Sequence, residues 1–410
     1  MRGGVFPVLW LCGPPGVGKS TVAWKIFTDL LCSGINSGFV DVDQLGICYP
    51  EPPADPGRHR MQLENLAAVV DTYRSAGARC VIVSGIVDAE HGVDHDQLRD
   101  ITLTLCRLRS DRIELTRRLA VRGEVQYDLD AVWREAEALD RGAVVETPID
   151  TTGLTMAEVA DRVQQHTGGW PGLRGAASDL LAPTSLSSAR VSAGAAGPVL
   201  WLCGPAGVGK SAVGFQIFMQ QLGAGRAAAF VDLDQVGFCE PAPSDDPARH
   251  RVKASNLAAL WQTYRTAGAQ CLVMVGPAAA ESDIKRYTEA LPDATFTVGR
   301  LHAQPEELTR RIMLRGEGRG WAQPGDPLRG QPTARLLDVA QIAIMDDTGL
   351  EGAGVGDLRV DTTRLSVREV ADTIITAAGW DSVPSCDEGT RPARPARGTA
   401  CGDDSDSSPR

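Results

Sequence analysis

An octapeptide occurs twice in this chain, and its second copy lies 191 positions after the first. Residues 13–20 read Gly-Pro-Pro-Gly-Val-Gly-Lys-Ser, and residues 204–211 read Gly-Pro-Ala-Gly-Val-Gly-Lys-Ser. Each is a full G-x-x-x-x-G-K-[ST] phosphate-binding loop. Val8-Leu9-Trp10-Leu11-Cys12 precedes the first and Val199-Leu200-Trp201-Leu202-Cys203 the second, both apolar runs of strand character. Helical patterns follow at Thr21–Leu31 and Ala212–Leu222. Strand, glycine loop and helix together turn a string match into a mechanism. Gly13, Gly16 and Gly18, with Gly204, Gly207 and Gly209, let backbone N–H groups curl around phosphates, and the helix N-terminus adds its dipole. Lys19 and Lys210 reach the β- and γ-phosphates in such a loop. The Ser20 and Ser211 hydroxyls hold Mg²⁺, with Thr21 beside Ser20. The chain has five lysines against 36 arginines, and two of the five stand where a phosphate loop needs a point charge.

The repeat runs far beyond the loop. Phe39-Val40-Asp41-Val42-Asp43-Gln44 returns as Phe230-Val231-Asp232-Leu233-Asp234-Gln235, and Asp55-Pro56-Gly57-Arg58-His59-Arg60 as Asp246-Pro247-Ala248-Arg249-His250-Arg251. The offset becomes 193 at Leu115-Thr116-Arg117-Arg118-Leu119 and Leu308-Thr309-Arg310-Arg311-Ile312, then 211 at Asp150-Thr151-Thr152 and Asp361-Thr362-Thr363. The second copy therefore carries an insertion of 18 residues, placed in the Gly/Pro/Arg-rich stretch Glu317–Thr333. Strands are expected at 8–12, 38–43, 80–84, 102–108 and 144–150, and helices at 19–32, 60–76, 111–123, 129–141 and 155–166. That alternation predicts an α/β fold of parallel βαβ units with right-handed crossovers. The organisation expected is a first copy at 1–170, a Gly/Ala/Ser-rich linker at 171–197, a second copy at 198–380 and a disordered tail at 381–410. The two copies can pack as an intramolecular pseudo-dimer.

A net charge of −11 and a pI near 5.1 exclude bulk electrostatic binding to nucleic acid or anionic lipid. A 5′-kinase acting on polynucleotides is disfavoured on the same ground. No apolar segment at the N-terminus is long enough for a signal peptide or membrane span, so a soluble cytoplasmic protein is expected. Ten cysteines form no C-x-x-C pair, and several recur at equivalent positions inside apolar runs; they read as buried reduced thiols.

Three further patterns carry chemistry. A strand ending in Asp41-Val42-Asp43 puts both carboxylates on one side, beside the phosphate loop; Asp232 and Asp234 repeat it. One can help hold Mg²⁺, and the other can accept the proton of an attacking hydroxyl. The bland alternative is a helix cap or a solvated strand end. Arg118 and Arg122, repeated as Arg311 and Arg315, share a helix face before a glycine and can close over a γ-phosphate; a solvated charged face is the alternative. Arg58, Arg60, Arg249 and Arg251 suit a polar or anionic acceptor. The Asp-Thr-Thr segments precede helices near Thr155 and Ser366, fitting either an N-cap or a wall of the nucleobase site. No apolar run ends in the Asp-Glu pair of ATPases that drive mechanical work.

These residues together resemble the small P-loop kinases, the group of shikimate, gluconate and adenylylsulfate kinases, chloramphenicol phosphotransferase and the nucleoside-monophosphate kinases. The resemblance spans both copies. It implies two tandem P-loop NTPase domains, each a five-stranded parallel sheet with helices on both faces. It also implies ATP and Mg²⁺ as cofactors, Asp41 or Asp43 as base and metal partner, and Arg118 and Arg122 as lid arginines over ATP. The expected activity is transfer of the γ-phosphate to a small hydroxyl- or phosphate-bearing metabolite; the alternative is a nucleotide-binding regulatory module with little turnover. The second copy departs from the first: Ala278-Ala279-Ala280 stand near the position of Asp88, Arg364 replaces Gly153, and the insertion lies lid-side. A regulatory role or a different specificity is expected for it.

Overall fold

The computed structural model describes residues 6–98, 100–122, 128–142, 148–172, 196–319 and 326–382. Most of the expected linker, the expected disordered tail, residues 144–147 and part of the insertion lie outside them. In the first lobe the chain runs β1 (Phe6–Cys12), α1 (Lys19–Cys32), β2 (Ser37–Asp41), β3 (Cys48–Tyr49), α2 (His59–Ser75), β4 (Cys80–Ser84), β5 (Ile101–Arg109), α3 (Arg112–Arg122), α4 (Leu129–Arg141), β6 (Ile149–Asp150) and α5 (Met156–His166). The second lobe repeats the pattern with β7 (Gly197–Cys203), α6 (Lys210–Gly223), β8 (Ala228–Asp232), β9 (Cys239–Glu240), α7 (His250–Thr266) and β10 (Cys271–Val275). It continues through α8 (Glu281–Ala290), β11 (Ala294–His302), α9 (Pro305–Gly316), α10 (Thr333–Ala353), β12 (Leu358–Asp361) and α11 (Val367–Ala377). Among the described residues no helix is long and apolar enough to cross a membrane.

Each lobe has five parallel strands, in the order β6-β5-β1-β4-β2 or β12-β11-β7-β10-β8. Near-continuous apolar runs such as Cys80–Val83 are buried on both faces, as a parallel sheet between helix layers requires.

Each sheet has a sixth strand, and it comes from the other lobe. β9 of lobe two pairs antiparallel with β2 of lobe one, Gly38 opposite Cys239. β3 of lobe one pairs in the same way with β8 of lobe two, Cys48 opposite Ala229. Two residues are too short to register as an apolar run, which is why the sequence pattern missed these strands.

The exchange accompanies a shared core. On β1 alternate side chains divide: Val8, Trp10 and Cys12 face a cluster continuous with Trp201, Leu257 and Trp261 of lobe two, while Leu9 and Leu11 face α1 and α5. α2 and α7 pack together across this seam, with the Thr72 and Ser255 hydroxyls 3.5 Å apart. Phe238 crosses to pack on Trp24 and Phe39, and Tyr49 crosses to pack on Phe218. Eight described cysteines are free thiols, seven of them buried.

Candidate functional site

The phosphate loop links β1 to α1. Gly13 has φ +141 and a Cβ there would sit 2.4 Å from the Leu108 carbonyl oxygen; Gly204 repeats the arrangement against Leu301 at 2.3 Å. Only glycine fits such an approach. Gly16 and Gly18 also have positive φ, as do Gly207 and Gly209. No side chain caps α1 or α6, so their first N–H groups stay available to an anion. Lys19 Nζ is buried and donates to the Gly13 and Pro14 carbonyls at 2.7 and 3.2 Å. Lys210 does the same to Gly204 and Pro205, both at 2.9 Å. Burial pushes the Lys210 ammonium below its usual pKa against the pull of Asp234 and Asp232. Thr21 is exposed on the first turn of α1.

β2 ends at Asp41, two residues short of the expected strand, because residues 42–46 wind into a 3₁₀ turn. Asp41 and Asp43 therefore meet through that turn and not through strand alternation: Asp41 Oδ1 accepts the Asp43 N–H at 3.1 Å. Asp41 Oδ2 accepts from Ser20 Oγ at 2.6 Å and Ser84 Oγ at 2.8 Å. Burial and the neighbouring Asp43 charge push the Asp41 carboxyl up to about 6, against the two hydroxyls. In lobe two, Ser211 Oγ donates to Asp232 Oδ2 at 2.9 Å, and burial with the Asp234 charge again lifts Asp232 to about 6. A hydroxyl beside a carboxylate is the hard-oxygen pair that Mg²⁺ takes alongside phosphate and water. Among the described residues no cluster of three His, Cys, Asp or Glu forms an all-protein metal cage.

The second aspartates differ between the lobes. Asp43 Oδ1 is buried without a hydrogen-bond partner, and burial pushes its carboxyl up despite the Lys19 charge. Asp234 accepts from Lys253 Nζ at 2.6 Å. Burial works to raise Asp234, but the Lys253 ammonium holds it below the usual carboxylate range. The position equivalent to Lys253 in lobe one is Gln62, which is buried. The sequence reading passed over this pair. Its signal was there: a lysine in a lysine-poor chain, facing a glutamine at the repeat offset.

Arg118 joins three elements. Nε donates to Glu114 at 2.8 Å, one terminal nitrogen to the Val17 carbonyl and Thr151 Oγ1, both at 3.0 Å, and the other to the Thr151 carbonyl at 2.8 Å. Arg311 repeats every contact with Glu307, Val208 and Thr362. These arginines fasten the phosphate loop to the Asp-Thr-Thr loop. Thr155 and Ser366 cap the following helices through capping boxes with Glu158 and Glu369. The Arg122 side chain lies outside the described residues; Arg315 bonds Asp326 at 2.7 Å.

Arg58 stands over the Tyr49 ring at 4.1 Å and donates to the Gly46 carbonyl at 2.6 Å, which brings it to the Asp43 turn. Arg249 pairs with Glu240 near Asp234. Arg60 is exposed, and Arg251 pairs with Asp245 at 2.8 Å, so these two are not gathered at the phosphate loops.

No family model and no curated protein matches this chain. Solved structures similar to it include a tunicamycin resistance protein of Deinococcus radiodurans, at 17% identity over 45% of this chain and 96% of its own, TM-score 0.30. Another is an APS kinase of Mycobacterium tuberculosis in complex with AMPPNP and APS, at 20% identity over 45% of this chain and 98% of its own, TM-score 0.29. A gluconokinase of Sinorhizobium meliloti matches at 18% identity over 45% of this chain and 92% of its own, TM-score 0.31.

Proposed function

We propose that lobe one is an ATP-dependent small-molecule kinase and that lobe two binds nucleotide with its transfer chemistry held back. The observation that carries the first half is Asp43: its carboxylate Oδ1 is buried and unpartnered, and its backbone N–H donates to Asp41, which accepts from the Ser20 hydroxyl. Phosphoryl transfer asks a protein mainly for positioning and charge, plus a base for the acceptor hydroxyl. The loop N–H groups and Lys19 bind and orient the β- and γ-phosphates. Ser20 and Asp41 would hold Mg²⁺, which neutralises phosphate charge when bound. The acceptor oxygen attacks the γ-phosphorus as its proton passes to Asp43, and the bond from that phosphorus to the β–γ bridging oxygen breaks, releasing ADP. Arg118 keeps the loop in register. Arg58, at the same turn, suits a polar or anionic acceptor.

The alternative of a regulatory nucleotide-binding module is favoured for lobe two, because Lys253 occupies the oxygen that would take the acceptor proton. The test is ADP release from Mg·ATP, with and without a pooled small-metabolite extract. Asp43→Asn should cut extract-stimulated release by about 100-fold or more, the size of a lost general base. ATP affinity should stay within a few fold. Stimulated release surviving Asp43→Asn above one-tenth of wild type would sink the reading.

A further inference from the structure

A cavity of about 940 Å³ opens between the lobes, a volume typical of small-molecule sites. One wall belongs to lobe one: Trp24, Thr28 and Leu31 on the outer face of α1. Phe238 of lobe two completes it, its ring edge-on to Trp24 with centroids 4.9 Å apart. Phe238 is there because the next two residues form β9, the strand lent to lobe one. The apolar wall is thus a product of the exchange, and neither lobe supplies it alone.

The charged part of the lining belongs to lobe two. Arg249, Arg315 and Arg335 form it together with Asp234 and Glu240. Arg249 pairs with Glu240, Arg315 with Asp326 and Asp234 with Lys253, which leaves the Arg335 guanidinium as the charge in excess. Arg335 is exposed on the first turn of α10. Arg335 therefore gives a mostly apolar cavity a net positive charge, and a planar guanidinium fork suits a phosphate or carboxylate.

We propose that this cavity binds a small organic anion with an aromatic body, gripped by both lobes at once. The anionic group sits on Arg335 and the ring on the Trp24–Phe238 wall. The inference rests on the reading above that lobe two keeps a binding site around Asp234, which lines this cavity.

The probe is 1-naphthyl phosphate, titrated calorimetrically into the full chain without nucleotide. Inorganic phosphate and 1-naphthol serve as the body-less and charge-less arms. One probe should bind per chain, at least tenfold more tightly than either arm. Thr28→Trp, which fills the cavity from lobe one, and Arg335→Ala, an exposed side chain, should each weaken the probe tenfold or more. Unchanged melting curves show that both variants are folded. Equal affinity for 1-naphthol, or indifference to both substitutions, overturns the proposal. Affinity is read without turnover, so an inactive lobe one leaves the result standing, and loss of probe binding leaves ADP release by lobe one untouched.

Discussion

Lys253 Nζ lies 2.6 Å from Asp234 Oδ1, while the same position in lobe one is the uncharged Gln62. At the repeat offset an ammonium stands on Asp234 where lobe one has an amide, while Ser84 of lobe one becomes Val275 in lobe two. Asp43 is pushed up and Asp234 is held down. A carboxylate held by an ammonium is a poorer proton acceptor, so on the proposed reading the pair would act as a brake on lobe two.

Removing the brake should start lobe two. In a Lys19→Ala background, which silences lobe one, Lys253→Gln is expected to raise ADP release at least tenfold. Release that stays at the Lys19→Ala level would mean that Lys253 is not what restrains lobe two.

Arg118 and Arg311 each hold a phosphate loop to an Asp-Thr-Thr loop. Charged hydrogen bonds of this sort contribute ~1.5–3 kcal/mol each, discounted here for partial exposure. Arg118→Ala should cost about 3 kcal/mol of stability in denaturant melts and weaken nucleotide binding together with it. Arg118→Lys should recover little, because one ammonium cannot reach Val17, Thr151 and Glu114 together.

Acid should loosen these clamps. Hydrogen bonds from Arg117 and Arg118 hold the Glu114 carboxyl down at about 2 against an ordinary 4.5, and Arg310 and Arg311 do the same for Glu307. A depressed carboxyl stabilises fully above the unfolded value and loses that contribution as pH falls from 4.5 towards 2. The combined variant Glu114→Gln, Glu307→Gln should be less stable than wild type at pH 7, and the gap should close on acidification. A gap of constant width in denaturant midpoints across that range would count against the assignment.

Lobe one expressed alone as residues 1–172 would bare the β2 edge and the α2 face that β9 and α7 cover. An uncovered edge and apolar face drive association. The fragment should sediment as a dimer in which each copy lends its own Cys48–Tyr49 strand. A stable monomer would show the exchange to be dispensable.

Much of this was legible in the chain. The loop motif with its flanking runs placed β1, α1, β7 and α6, because that spacing has one backbone solution. Helix limits at 19–32 and 129–141 matched, since their apolar faces are long enough to show a period. Asp41 and Asp43 were singled out and do meet, but their geometry was not legible, because a five-residue 3₁₀ turn leaves no periodic trace. The reading of Arg118 as a lid residue came from spacing along one helix, and its partners Val17 and Thr151 are far away in sequence. Lys253 escaped for the same reason, since it reaches the Asp234 turn from α7.

The lent strand begins two residues after the turn that carries Asp43: residues 42–46 form the turn, and Cys48–Tyr49 are hydrogen-bonded into the other sheet. Lobe two has the same wiring from Asp234 to Cys239–Glu240. A rearrangement at either phosphate site would reach, through one short tether, the sheet that carries the other. The repeat is a single mechanical device with crossed reins, and cutting its linker would leave the halves harnessed together.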